Sequence, residues 1–406
     1  MAPTRATYIR RRFGVVGGVL ALITASAYLP LTLLAPVDAI APQLTAADAI
    51  HEPAVELTWP AYGASAIGAV GYPGVLASGG SSESLPMASI TKVITSLVVL
   101  ETKPLAPGES GEQIRFTAND QALIGHYQRL GGGTKPVWSG LTLSQRQVLD
   151  FTLITSANNY AASLADWAFG SNDEFVAAAT SWLQRNGMPD TRVVEPTGID
   201  PANVSTTTDL IQLGKLALAD PVIAEIVATA STTVPGFEEL ENSNKLLGEF
   251  GVDGIKTGRL DQSNLLFSAD LPVGHQTVQL VGVVMGGEDP DAVRESVRSL
   301  LASATSGFVE LDVVEAGARF ADYVTPWGQH ASAVAGETYT VVTWRGTPVS
   351  YDVVADQVRD GAAGDRVGRL AVQVGTTHLS VPLVLDSSIG PPDALWRLTN
   401  PAELFG

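Results

Sequence analysis

The sequence predicts an α+β chain in two parts. The larger is an antiparallel sheet flanked by helices with a helical subdomain, and a small all-β domain follows it. Three observations carry this. Strand-like segments lie at both ends of residues 61–307, over 64 to 78 and again over Leu265–Ala269 and Val278–Met285. Between them run apolar positions at helical spacing, with polar caps in front. After about Gly307 the texture changes to short β-prone runs divided by glycine turns.

The elements follow in order. Arg5, Arg10, Arg11 and Arg12 precede an uncharged apolar run from Phe13 to about Val37, long enough to span a bilayer despite Pro30 and Pro36. Basic residues favour the cytoplasmic side, so residues 1–40 are expected to be a cytoplasmic tip and a membrane anchor. Cleavage after Ala39 is the alternative, giving a secreted body. Arg10-Arg11-Arg12-Phe13 also loosely resembles a twin-arginine signal. Residues 41–60, with Pro42, Pro53 and Pro60, read as a tether. Segment 64 to 78 alternates around Pro73-Gly74 and reads as a hairpin that begins the sheet. Residues 85 to 103 have a polar start and then an apolar helix. Val93, Ile94, Leu97, Val98 and Leu100 cover most of its faces, which predicts a central helix packed on several sides.

Residues 104 to 140 read as a loop-rich rim, with Pro104, Pro107, Gly108, Gly111 and the run Gly131-Gly132-Gly133. Ser144 caps a helix to about Thr155, and another runs through Tyr160, Leu164 and Trp167. Further helices are expected from about Asp173 to Gln184, from Asp209 to about Leu218, and from Pro221 to about Ala228. Val193 to Gly198 reads as an irregular wall or short strand. Lys256, Thr257 and Gly258 are expected on a sheet edge. A closing helix over 289 to 306 has Val293, Val297, Leu300 and Leu301 on its apolar side. The β-rich domain, 308–406, takes its strands from Leu311–Val314, Thr338–Trp344, Val349–Val353, Val367–Val374 and His378–Leu385.

Composition narrows the chemistry. The 406 residues contain no cysteine, which excludes disulfides, thiolate catalysis and cysteine-bound metal. A net charge of −18 with no basic patch argues against nucleic acid as a partner. His51, His126, His275, His330 and His378 are dispersed without ligand spacing, so no metal and no cofactor is expected.

Ser89 and Lys92 are three residues apart, on one helical face. A helix start concentrates unpaired N–H groups, which favour a developing oxyanion. An amine beside a serine hydroxyl acts as its base once its pKa is lowered. Ser156 and Asn158 form S-x-N, and Lys256-Thr257-Gly258 form K-T-G. The ordered set S-x-x-K, S-x-N, K-T-G is a known combination in active-site serine enzymes that act on penicillin-like or D-alanyl peptides.

From about residue 55 to 300 the chain resembles the serine-type D-alanyl-D-alanine carboxypeptidases, the low-molecular-mass penicillin-binding proteins. The resemblance rests on Ala88-Ser89-Ile90-Thr91-Lys92, on Ser156-Ala157-Asn158-Asn159-Tyr160-Ala161-Ala162 and on Val252-Asp253-Gly254-Ile255-Lys256-Thr257-Gly258. Ser205-Thr206-Thr207-Thr208-Asp209-Leu210 and Asn242-x-Asn244-x-Leu246-Leu247 add to it. It implies a β-lactamase/transpeptidase-like catalytic domain, with a β-rich second domain common in the family. It implies Ser89 as nucleophile, Lys92 as its base, Ser156 as a proton relay and Asn158 as the group positioning Lys92 and the substrate amide. Lys256 would supply positive potential and Thr257 a hydroxyl for the substrate carboxylate. Gly258 would let the peptide approach the strand, with Asn242, Asn244 and Arg259 also at the substrate. The oxyanion would sit between the N–H of Ser89 and that of Arg259 or Leu260, Arg259 being preferred. The implied partners are the peptidoglycan stem peptide, β-lactam inhibitors and, through the N-terminal segment, the membrane. The catalytic body would then stand on the extracytoplasmic side.

Two departures stand out. Ser243 occupies a position where many relatives carry arginine; Arg259, just after Gly258, offers a compensating fork for a carboxylate. The chain then reads Leu260-Asp261-Gln262, without the family's usual threonine and Ala-Gly. Alternatives to a carboxypeptidase are a weak or inactive wall-binding protein, a transpeptidase or endopeptidase, and a β-lactamase. Glu195 is the candidate deacylation base for the last, though Glu195-Pro196-Thr197-Gly198 lacks the Glu-x-x-Leu-Asn texture of such a loop.

Overall fold

The computed structural model describes residues 5–46, 50 and 52–405. Residues 1–4 of the expected tip, and 47–49 and 51 of the expected tether with His51 among them, lie outside the described residues. The chain divides into two units, Ala54–Val309 and a second made of the residues up to Pro53 together with those from Glu310.

The larger unit is built on a five-stranded antiparallel sheet. Its strands are β1 (Ala64–Ala69), β2 (Ala77–Gly80), β3 (Val252–Arg259), β4 (Ser263–Val273) and β5 (Gln276–Gly287), in the order β3-β4-β5-β1-β2. Its first and last segments therefore meet in the middle, where Val283 faces Ala66 across the β5–β1 ladder. β3 is left as an edge, with Lys256 opposite Leu266 and Gly258 opposite Asn264. An edge strand keeps one row of backbone N–H and C=O groups for a ligand.

Between β2 and β3 come the helices α1 (Thr91–Thr102), α2 (Ala118–Arg129), α3 (Gln145–Leu153), α4 (Asn158–Phe169), α5 (Asn172–Arg185), α6 (Thr207–Ala219) and α7 (Pro221–Ala228). In α1 every residue from Thr91 to Leu100 is buried, as a helix apolar on most faces requires. Val93, Ile94 and Val98 share one core with Val148 and Phe151 of α3, Tyr160 and Leu164 of α4, and Leu210 and Ile211 of α6. The core reaches the sheet at Val281, Val283 and Met285. α8 (Pro290–Ala304), started by Asp289 with its carboxylate accepting from Ala292 N, buries Val293, Val297, Leu300 and Leu301 and packs on β4 and β5.

One helix departs from the sequence reading. Residues 104 to 140 were expected to be loop, yet they contain α2. Its apolar positions are few, and the flanking prolines and glycines dominate the window. The signal that was present is local. Thr117 and Asp120 form a reciprocal capping box, each side chain accepting from the other's backbone N–H.

The smaller unit is a six-stranded antiparallel sheet in the order Gln43–Leu44, Arg319–Val324, His330–Ala335, Thr377–Leu385, Arg366–Val374, Val349–Ala355. Its core includes Tyr323, Ala333, Leu370, Val381 and Leu383. The expected tether is corrected here. Gln43 and Leu44 pair with Asp322 and Ala321, and Ile40 exchanges both backbone hydrogen bonds with Val358. Residues 40 to 44 thus cover an otherwise open strand edge. The sequence reading does not include strands Arg319–Val324 and His330–Ala335; the first is short, and the apolar residues of the second are mostly alanines, which give weak alternation.

The N-terminal helix, Arg5–Leu33, is long and apolar enough to cross a membrane by length and composition. At 1.5 Å per residue it extends about 43 Å, against a hydrocarbon core of about 30 Å.

Candidate active site

The site forms where the start of α1, the α3–α4 junction, edge strand β3 and the loop from Arg192 to Asn203 converge. Ser89 lies in a single 3-10 turn, Ala88–Ile90, that runs into α1. Two residues flanking the chemistry, Ala88 at φ 50° and Ser156 at φ 61°, hold the left-handed conformation without being glycine. Each such residue costs about 1–3 kcal/mol and persists only where its surroundings fix it.

Lys92 is fully buried. Its Nζ lies 2.8 Å from Ser89 Oγ, 2.5 Å from Asn158 Oδ1 and 2.6 Å from the carbonyl oxygen of Thr197. Two of these three partners are carbonyls, which only accept. In a neutral amine they take both N–H groups, and the lone pair is left facing the Ser89 hydroxyl. Burial pushes the Lys92 pKa well below its ordinary value. The nearby Lys256 charge lowers it further, and the Glu195 carboxylate raises it.

Lys256 is also buried, and burial pulls its pKa from 10.5 to about 7. Its Nζ makes only long contacts: 3.3 Å to Ser243 Oγ, 3.3 Å to Thr257 O and 3.4 Å to Thr257 Oγ1. The hydroxyls of Ser243 and Thr257 share a 2.7 Å hydrogen bond. Ser243 therefore meets the cleft through Thr257, while lining a neighbouring cavity of about 200 Å³ with Thr257 and Arg259. It was not among the expected site residues.

Ser89, Ser156, Asn158, Thr257, Gly258 and Arg259 line one cleft of about 580 Å³, with Gly131–Gly133 and Leu260-Asp261 on its rim. Lys92 and Lys256 sit beneath these groups. Close approach at two points demands glycine. A Cβ on Gly258 would fall 2.7 Å from Met87 O, where β3 passes the nucleophile turn. Gly198, at φ 80°, would put a Cβ 1.9 Å from Ala88 O. The backbone N–H of Leu260 donates to Gln262 O at 3.0 Å, so of the two amides considered for an oxyanion, that of Leu260 is already engaged.

Asn242 and Asn244 do not reach the cleft. Asn242 Nδ2 donates to Thr229 O at 2.9 Å and Val227 O at 3.3 Å, and its Oδ1 accepts from Asn244 N. Asn244 Nδ2 donates to Gly254 O, and its Oδ1 accepts from Leu246 N. Both are buried struts that fix the approach to β3. The pattern Asn-x-Asn identified the right stretch but not the direction of its side chains.

Glu195 lies outside the cleft lining. It borders a second cavity of about 520 Å³ with Asp120, Tyr127 and Asp166. Its Oε2 accepts from Thr197 N at 2.8 Å and Thr197 Oγ1 at 2.7 Å. Its Oε1 accepts from Gly198 N at 2.6 Å, Asn203 Nδ2 at 2.5 Å and Asp200 N at 3.4 Å. With both oxygens occupied by donors, it has no lone pair for a deacylating water.

Other contributors escaped the sequence reading. Thr197 acts through a backbone carbonyl, which carries no residue signature. The glycine rim packs on Asn158, since a Cβ on Gly132 would meet Asn158 Nδ2 at 2.1 Å. Asn159 exchanges hydrogen bonds with the backbone of Lys135, and Tyr160 Oη donates to Pro136 O, so both anchor that rim. Their signal was in plain view beside Asn158.

A family profile described as D-alanyl-D-alanine carboxypeptidase matches residues 71–289. Among curated proteins the chain is similar to a D-alanyl-D-alanine endopeptidase of Pseudomonas aeruginosa, 30% identical over 211 residues, covering 48% of this chain and 63% of that one. It is also similar to D-alanyl-D-alanine carboxypeptidase DacA of Escherichia coli, 26% identical over 253 residues, covering 61% and 62%. The chain spans about three fifths of the length of the curated relatives it matches. Among solved structures, penicillin-binding protein 6B of Escherichia coli shares the fold, with a TM-score of 0.59 at 21% identity over 82% of this chain and all of that one.

Proposed function

Because the chain belongs to the D-alanyl-D-alanine carboxypeptidase family, we propose that it removes the terminal D-Ala from peptidoglycan stem pentapeptides through a Ser89 acyl-enzyme. The observation that carries this reading is the Lys92 amine. It is buried, has its N–H positions matched to Asn158 Oδ1 and Thr197 O, and lies 2.8 Å from Ser89 Oγ.

Ser89 Oγ attacks the carbonyl carbon between the two D-alanines while Lys92 takes its proton. The oxygen of the tetrahedral intermediate sits between the N–H groups of Ser89 and Arg259. The C–N bond then breaks, and the leaving amine receives a proton through Ser156. Water, deprotonated by Lys92, hydrolyses the ester. The hydroxyls of Thr257 and Ser243, with Lys256 behind them and Arg259 beside them, take the terminal carboxylate. β-Lactams enter as substrate mimics that acylate Ser89. The N-terminal helix anchors the chain in the cell membrane with this unit on the extracytoplasmic side.

The test incubates the protein with a peptide ending in Lys-D-Ala-D-Ala and measures released D-alanine beside labelling by a fluorescent penicillin, with Ser89→Ala in parallel. Release and labelling are both expected, and both vanish in the variant. Labelling without release makes the chain a binding protein, rapid penicillin turnover makes it a β-lactamase, and no labelling ends the serine-acylation reading. One similar protein is named an endopeptidase. A cross-linked stem dimer in the same assay tests that activity directly, and cleavage there would widen the substrate class.

A further inference from the structure

The loop that carries Glu195 is stapled to α1 and to the turn before it at three points. Lys92 Nζ meets Thr197 O at 2.6 Å, Thr95 Oγ1 donates to Pro196 O at 2.7 Å, and Met87 N donates to Asn203 O at 3.0 Å. Inside the loop, one carboxylate gathers the donors. Glu195 accepts from both the N–H and the hydroxyl of Thr197, from the N–H of Gly198 and from the side chain of Asn203. Asn203, itself fully buried, accepts at Oδ1 from Val194 N at 2.7 Å. The peptide unit whose oxygen accepts from Lys92 is thus held by Glu195 at its own N–H, that of Gly198, with Gly198 seated on Ala88 O.

We infer that Glu195 is a positioning residue for the acylation step: its carboxylate sets the Thr197 carbonyl against Lys92 and so aims the Lys92 lone pair at Ser89. This rests on the Ser89–Lys92 reading above and adds to it a residue that touches neither substrate nor nucleophile. The charge serves as well as the shape. All five groups around Glu195 are donors, so an amide in its place must turn an NH₂ toward one set of them. The charged groups acting on Lys92 are Lys256 from β3, which disfavours the protonated amine, and Glu195 from the loop, which favours it. On its far side Glu195 borders a cavity with Tyr127, Asp120, Asp166 and Asp200; ionisation of the Tyr127 hydroxyl is opposed first by burial and then by the Glu195 charge.

The test uses the full chain and measures the second-order rate of acylation by fluorescent penicillin across pH, for wild type, Glu195→Gln and Glu195→Asp. Acylation requires neutral Lys92, so the rate rises with pH through the Lys92 midpoint. Glu195→Gln removes a charge that holds the proton on, and its midpoint is expected at lower pH than wild type. Its plateau is expected about 10- to 100-fold lower, the scale of a small misplacement of a catalytic group. Glu195→Asp keeps the charge but shortens the reach; the midpoint stays and the plateau falls. A residue serving the fold alone would lower the melting temperature without moving the midpoint. An unchanged midpoint in Glu195→Gln overturns the inference. So does a wild-type plateau in Glu195→Asp, which stands even if the glutamine variant fails to fold. Failure of wild type to acylate at all is a separate outcome and refutes the Ser89–Lys92 reading on which the inference rests.

Discussion

Replacing Lys256 with methionine should make the protein more stable while disabling it. Lys256 is buried, and its ammonium makes only contacts of 3.3–3.4 Å, at the long end of hydrogen bonding. Burial displaces its pKa from 10.5 to about 7, which at 1.36 kcal/mol per pH unit corresponds to about 5 kcal/mol of preference for the neutral form. Water penetration and relaxation reduce such a penalty, and a recovery of about 2 kcal/mol is the reasonable expectation. Methionine fills similar volume without charge, and Ser243 and Thr257 keep their mutual hydrogen bond. Lys92 also loses a repelling neighbour.

The sign follows from linkage. A lysine whose folded pKa is lowered carries its full penalty below about pH 7, where it is protonated in both states. Between about 7 and 10.5 the folded protein has released the proton and the unfolded chain has not, so wild-type stability climbs with pH. The advantage of Lys256→Met should therefore be greatest near pH 6 and fade toward pH 10. For a unit of this size, about 2 kcal/mol raises the melting temperature by about 4–8 °C. Thermal unfolding of both proteins at several pH values, beside penicillin labelling, reads this out. A variant no more stable than wild type near pH 6, or one whose advantage is the same at every pH, refutes the reasoning.

Arg259→Ala should raise KM for the D-Ala-D-Ala peptide about 10-fold or more with a smaller change in kcat, as expected for a lost charge-assisted contact to a carboxylate; unchanged KM and unchanged penicillin acylation would remove Arg259 from the site. Gly258→Ala places a Cβ 2.7 Å from Met87 O and should both slow acylation and destabilise by about 1–3 kcal/mol, seen in labelling rate and urea unfolding. Asn242→Ala leaves the carbonyls of Val227 and Thr229 and the N–H of Asn244 short of a buried partner. It should cost about 1–3 kcal/mol in urea, with KM of the folded enzyme little changed.

What could be read from the sequence, and what could not, divides along one physical line. The roles proposed for Ser89, Lys92, Ser156, Asn158 and Lys256 rest on side chains of restricted chemistry at fixed spacing, and the motifs point to them individually. The central burial of α1 was legible for a similar reason, since Val93, Ile94, Leu97, Val98 and Leu100 cover most of its faces, and its short polar stripe, Lys92 with Thr95, meets the loop at Pro196 and Thr197. Asn242 and Asn244 lie on the other side of that line. A buried asparagine bonding two carbonyls and one bonding a substrate have the same letter and the same neighbours. Only the β3 edge, with Gly254 O in reach of Asn244, decides between them. The strand Gln43–Leu44 was illegible because a two-residue edge pairing depends on backbone groups, and a proline-bracketed segment gives no periodicity to betray it.

The same distinction bears on Glu195, which the sequence offers as a deacylation base only for the β-lactamase alternative. From sequence, a glutamate in the loop before the K-T-G strand invites comparison with a deacylation base. That role needs a carboxylate facing a water in the acyl cleft. Glu195 instead has its lone pairs occupied by Thr197, Gly198 and Asn203, and it borders the cavity on the other side of the loop. A half-buried carboxylate surrounded by donors is a structural anion, yet this one holds the N–H of the very peptide unit whose carbonyl accepts from the Lys92 amine. Positioning and electrostatics then cannot be varied separately by a single truncation. Comparing an uncharged variant with a shortened charged one separates them, because only the first alters the field at Lys92 while both alter the loop.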